Sequence, residues 1–148
     1  MKSWVSRLPL APLLLLPVCS EAEEISCATD KQLEEGASSG YSARISVTEK
    51  KITALKVESY IASGQEGGAY FCTLDTADAD SKVKWSVSGA ETKLEIETLG
   101  EMSSLSIHQV GKSYVINLDD VKRVYCGFGA EWPGSITLTP SKKQCAVK

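Results

Sequence analysis

The chain has a single histidine, His108. A Ser-His hydrolase needs a base, an acid that orients it and an oxyanion hole. His108 falls beside Ser106 on the wet face of an alternating segment, so it reads as an exposed strand histidine and not as a catalytic base. No two cysteines have the close spacing of a metal knuckle, and His108 is far from all of them, which excludes an ordinary zinc site. No apolar run after residue 22 approaches the roughly 20 residues that a membrane-spanning helix needs. Internal repeats, low-complexity tracts and cofactor motifs are lacking, and a formal net charge of −3 disfavours nucleic acid and anionic membrane surfaces as partners. These absences rank an enzyme last among the function classes, with no cofactor and no metal expected.

What is present begins with an export signal. Lys2 and Arg7 make a positive start, Leu8 to Val18 a short apolar stretch broken by Pro9, Pro12 and Pro17, and small residues follow at Ser20 and Ala22. Residues 1–22 are therefore expected to be removed, with cleavage after Ala22 or after Ser20, and the mature protein to be periplasmic or secreted. A lipid anchor on Cys19 is disfavoured by Val18, where such signals carry a very small residue. Cleavage leaves a net charge of about −4 and an even set of cysteines, Cys27, Cys72, Cys126 and Cys145. In an exported protein that set reads as two disulfides. Of the possible pairings, Cys126 with Cys145 and Cys27 with Cys72 is preferred, since the first closes one late segment and the second ties the N-terminus to the sheet.

Residues 23–40 read as an N-terminal segment with a short helix and a linker. Thr29 with Gln32 resembles a capping box, Gly36 would stop the helix, and Gly36 to Gly40 would be a flexible joint. From Tyr41 to the end the pattern is that of a β-domain. Tyr41, Ala43, Ile45 and Val47 share one face of a strand; Leu55, Val57 and Ile61 do so in the next, with Lys56, Glu58 and Tyr60 on the wet side. Val83, Trp85 and Val87, and then Leu94 and Ile96, repeat the pattern. Gly111-Lys112 suits a two-residue type II′ turn, and pairing outward sets Gln109 opposite Tyr114, Ile107 opposite Ile116 and Leu105 opposite Leu118. About eight strands with one weak helix predict an all-β fold, a small antiparallel β-sandwich or barrel.

Two glycine-rich stretches are the candidate binding sites. Gly127 to Trp132 begins like a dinucleotide fingerprint, but Trp132 occupies the third glycine position and Pro133 follows, so no helix opens to hold a phosphate. It reads instead as a pinned loop that displays Phe128, Glu131 and Trp132, and aromatic residues commonly anchor protein interfaces. The competing expectation is that Trp132 folds back as a lid on the sheet. The second stretch, Ala62 to Phe71, would carry Gln65 and Glu66 at its tip. Asp75, Asp78 and Asp80 cluster in a short loop but lack the spacing of an EF-hand, so a polar connection is expected there and not a calcium site.

Ser63-Gly64, Ala69-Tyr70 and Trp85 resemble scattered parts of a Ser-Gly-Ala-Arg-Tyr loop and following tryptophan in periplasmic lysozyme inhibitors. Four residues separate the two dipeptides, and Ser86 stands where a lysine would follow the tryptophan. The likeness covers a few positions and assigns no family. The function expected is an exported, disulfide-stapled module that binds a protein partner, such as an inhibitor or immunity factor of an envelope hydrolase. The alternative is a structural envelope protein or a small-ligand carrier. Inward residues such as Leu55, Trp85 and Tyr114 are bulky enough to fill a small barrel, which argues against a carrier cavity.

Overall fold

Alternating side chains can bury one row and wet the other only if the chain is extended and paired. The computed structural model, which describes residues 21–33, 36–63, 68–126 and 132–148, resolves this patterning into two antiparallel sheets. One is four-stranded, in the order β1 (Glu23–Gln32), β2 (Ser38–Thr48), β3 (Lys51–Ala62) and β4 (Ala69–Asp75). The other is six-stranded, from β5 (Ser81–Ser88) through β6 (Glu91–Thr98), β7 (Glu101–Val110), β8 (Ser113–Asn117) and β9 (Ser135–Leu138) to β10 (Ala146–Val147). A single helical turn, α1 (Lys122–Cys126), lies between β8 and β9 and packs beside β4. Every strand pairs with its neighbour in sequence, so both sheets are meanders.

The inward rows of both sheets meet in one buried cluster. Ile45, Leu55, Val57 and Leu74 come from the first sheet; Leu94, Ile96, Ile107, Ile116 and Leu138 come from the second. Burying each such side chain is worth about 1.5–3 kcal/mol, and this is what holds the two sheets face to face in a sandwich-like arrangement. The sheets do not join into a closed barrel, and the described residues form ten strands where about eight were expected.

The expected hairpin forms. Gly111 has φ 61°, as the first central residue of a type II′ turn requires, and Gln109↔Tyr114 and Ile107↔Ile116 are paired. The ladder ends at Ser106↔Asn117, just short of Leu105 and Leu118, which are both in the core. Two expectations need correction. The helix expected from Thr29 towards Gly36 is replaced over its first part by strand: Thr29 to Gln32 belong to β1, which pairs with β2 from Glu23↔Val47 to Gln32↔Ser38. Ile25 and Cys27 are two residues apart and both buried, a spacing that extended backbone satisfies and a helix does not. The supposed joint at Gly36 to Gly40 is correspondingly short, because β2 already starts at Ser38. Val87, expected in the buried row, is 56% exposed: β5 is the outermost strand, and only Val83 and Trp85 of its inward row reach the cluster.

The disulfides are Cys27–Cys145, with Cα atoms 5.0 Å apart, and Cys72–Cys126, at 4.8 Å. This overturns the expected pairing for a geometric reason. Cys27 on β1 and Cys72 on β4 lie on opposite edges of the four-stranded sheet, three strand spacings or about 14 Å apart, and a bridge tolerates no more than about 7 Å between Cα atoms. Each cysteine turns instead to the segment that comes alongside it from the other half of the chain. The two bridges thus staple both lateral edges of the four-stranded sheet to the six-stranded half.

Candidate functional site

The outer face of the four-stranded sheet is built from cross-strand rows. The first row is Asp30, Gly40, Tyr60 and Phe71; the second is Ala28, Ser42, Glu58 and Thr73; the third is Ser26, Arg44, Lys56 and Asp75. Four of the six β1 and β2 positions in these rows are small (Ser26, Ala28, Gly40 and Ser42), and Asp30 and Arg44 are the larger two.

Gly40 is what makes one rim. A Cβ placed there would stand 2.5 Å from both the Asp30 Oδ1 and the Tyr60 Cε1, closer than carbon atoms pack. The bare backbone lets the Tyr60 ring lean across β2, where its hydroxyl donates to the Asp30 Oδ1 at 2.9 Å. That hydrogen bond, with some desolvation and the nearby negative charge, raises the Tyr60 phenol above the usual tyrosine range. Phe71 stands beside it with ring centroids 6.4 Å apart, tilted at 38°. Phe71 is 68% exposed and the adjacent Tyr70 is 63% exposed.

Two adjoining depressions run along this trough. The one beside the aromatic pair measures about 270 Å³, the other about 480 Å³, and Ala28, Ser42 and Glu58 line both. The larger is flanked by the ion pairs Arg44–Glu24 at 3.6 Å and Lys56–Glu58 at 3.0 Å. Its third cation, Lys143, arrives on the segment after β9, which docks on the β1 edge when the Ala28 N–H donates to the Lys143 carbonyl at 2.8 Å. The Cys27–Cys145 bridge and a bond from the Thr29 hydroxyl to the Cys145 carbonyl, 3.1 Å long, hold that segment in place. Among the described residues, no carboxylate pairs with Lys143.

The outer face of the six-stranded sheet is different. There Lys82 faces Glu97 at 3.6 Å, Lys84 faces Glu95 at 3.4 Å, and His108 faces Glu91 at 3.6 Å, with small polar residues between. His108 is partly exposed and opposite Val115, as the alternation implied. Lys93 lies between Ser86 and Ser106 on this face, and Met102 and Val110 are exposed on it.

The residues expected to bind a partner fare unevenly. Trp132 is not displayed: it is 4% exposed, stacked on Tyr125 at 5.7 Å between centroids, and part of the core cluster. The Tyr125 hydroxyl is bonded to Thr98 at 2.9 Å, and Thr98 to Ser81 at 3.2 Å, so the pair closes one end of the six-stranded sheet. The Trp132 Nε1 has no hydrogen-bond partner among the described residues. The lid expectation is the one the packing follows, since a tryptophan beside a small core removes more apolar surface than any other side chain. Phe128, Glu131, Gln65 and Glu66 lie outside the described residues. The carboxylates of Asp75 and Asp78 accept the backbone N–H groups of Ala77 at 2.9 Å and Asp80 at 3.1 Å, shaping the connection between the sheets. Among the described residues, no group of three metal-ligating side chains comes together, and no helix is long and apolar enough to cross a membrane.

The trough itself was only half visible in the sequence. Alternation puts Arg44, Lys56, Glu58 and Tyr60 on wet faces, whereas residues 23–40 read as a segment with a short helix and a linker, so the β1 side of the trough is missing from that reading. No family model, no curated protein and no solved structure matches the chain.

Proposed function

We propose that this protein is an exported, non-catalytic β-sandwich binding module that docks its partner on the outer face of the four-stranded sheet. One observation carries the reading: the outer face of the four-stranded sheet holds two adjoining depressions floored by small side chains, with the exposed Phe71 ring beside Tyr60 at one end. Exposed aromatics of this kind are how interfaces gain most of their energy per residue. The export signal and two buried disulfides favour an oxidising compartment. An inhibitory loop centred on Trp132 has less to recommend it, because that side chain is already spent on the core.

The test compares two variants matched for exposure. The exported, processed protein, immobilised as wild type, Phe71→Ala and Lys84→Ala, is challenged with an envelope fraction containing both proteins and polysaccharide. Retention by wild type and Lys84→Ala, with loss in Phe71→Ala, is the expected result. Equal retention by all three, or loss confined to Lys84→Ala, would remove the docking face from the four-stranded sheet.

A further inference from the structure

We infer that the trough is a carbohydrate site, taking a neutral, polyhydroxylated chain laid from the Tyr60–Phe71 rings to Arg44 and Lys56. This rests on the docking face described above and names its ligand class.

The charge of the lining comes first. Arg44, Lys56 and Lys143 are balanced by Glu24, Asp30 and Glu58. An equal, interleaved set gives no net field to draw in a polyanion or polycation, and a nucleic acid would need a clear cationic excess. A protein partner meets a different obstacle. The buried centre of a protein interface is depleted in charged residues, because covering ion pairs with apolar surface costs more desolvation than it returns. Here a partner laid in the trough would cover the Lys56–Glu58 and Arg44–Glu24 pairs that flank it. A sugar brings hydroxyls that both donate and accept, so it replaces the water around those pairs bond for bond, and bonds to charged partners are the stronger kind.

The shape agrees with the charge. Ser26, Ala28 and Ser42 keep the floor low enough for a flat ring to approach the sheet. From the Gly40 row to the Arg44 row is four residues of β2, about 14 Å, enough for a short oligosaccharide. At the aromatic end the Phe71 ring is open to solvent, and a pyranose offers an apolar C–H face that covers such a ring while its hydroxyls point to the polar rims. The ion pairs and the Tyr60–Asp30 bond already fix the rim side chains in the free protein, which lowers the ordering cost of binding.

The experiment titrates the isotope-labelled, disulfide-bonded protein with chitotetraose, cellotetraose and maltotetraose and follows its backbone amide resonances. At least one of these sugars is expected to shift Gly40, Ser42 and Phe71 saturably, with a Kd of about 1 mM or tighter. Phe71→Ala should weaken that binding about tenfold or more, and Lys84→Ala should leave it unchanged. No shift with any of the three sugars, or saturable shifts that map away from these rows, overturns the inference. If the sugars fail but an envelope protein is captured in a Phe71-dependent way, the docking face stands and the ligand class falls. If neither sugar nor protein responds to Phe71→Ala, both fall together.

Discussion

The two outer faces of this molecule are made by the same device, an antiparallel meander with polar residues at every second position, yet they come out opposite in character. On the six-stranded sheet Lys82 and Lys84 each lie across from a glutamate at the same level, so those side chains lean toward one another, while Lys93 lies between Ser86 and Ser106. On the four-stranded sheet Ser26, Ala28 and Ser42 stand beside larger side chains on the neighbouring strands, and depressions form along them. What separates a solvated face from a candidate site is the distribution of side-chain size across the strands, not the number of charges.

The staples test this contrast most severely. The Cys72→Ser, Cys126→Ser double variant releases β4 from α1 and is expected to cost about 2–5 kcal/mol of stability, measured from the shift in urea midpoint. Amide protection should fall in β3 and β4 before it falls in β6 and β7; uniform loss across both sheets would show that the faces are not separately supported. Gly40→Ala comes next. The atoms in its way are the ends of two side chains, the Asp30 carboxylate and the Tyr60 ring, with the Thr29 carbonyl at 3.0 Å. The expected cost is about 1–3 kcal/mol, with the Tyr60–Asp30 bond broken and the aromatic rim displaced. Wild-type stability with the Tyr60 resonances unmoved would mean that the trough does not depend on the glycine.

Smaller effects belong to the outer face of the six-stranded sheet. Lys84→Ala removes one exposed cross-strand pair and should change stability by about 1 kcal/mol or less, vanishing at high salt. A larger loss would mean that this face is more than a solvated surface. The smallest effect is a titration. Because the folded-state pKa of Tyr60 is raised, its contribution is complete below the ordinary tyrosine range and fades as pH climbs through the raised value. Asp30→Asn should return the phenol toward its ordinary range, seen by ultraviolet difference titration. Tyr114, which burial and the nearby Glu23 also push up, should titrate as before.

Legibility followed the range of the interaction. The β7–β8 hairpin was readable in register because turn chemistry and alternation lie within fifteen residues of each other and agree. At β1 a local capping signal at Thr29 and Gln32 competed with the pairing of Ile25 and Cys27 against β2, and the longer-range pairing prevailed. Trp132 was ambiguous for a similar reason: an aromatic between glycines looks the same in sequence whether it points outward or lies on Tyr125.

By itself the sequence determined the all-β class, the identity of the inward and outward rows from Tyr41 onward, and which four cysteines have partners. These follow from period-two burial and from cysteine count, properties that each segment carries alone. Only the tertiary structure decided how the cysteines pair, that β1 and β10 become edge strands, and that Gly40, Tyr60 and Asp30 meet. Those outcomes depend on which strands lie side by side, and a row across a sheet joins residues that the chain keeps ten to thirty positions apart.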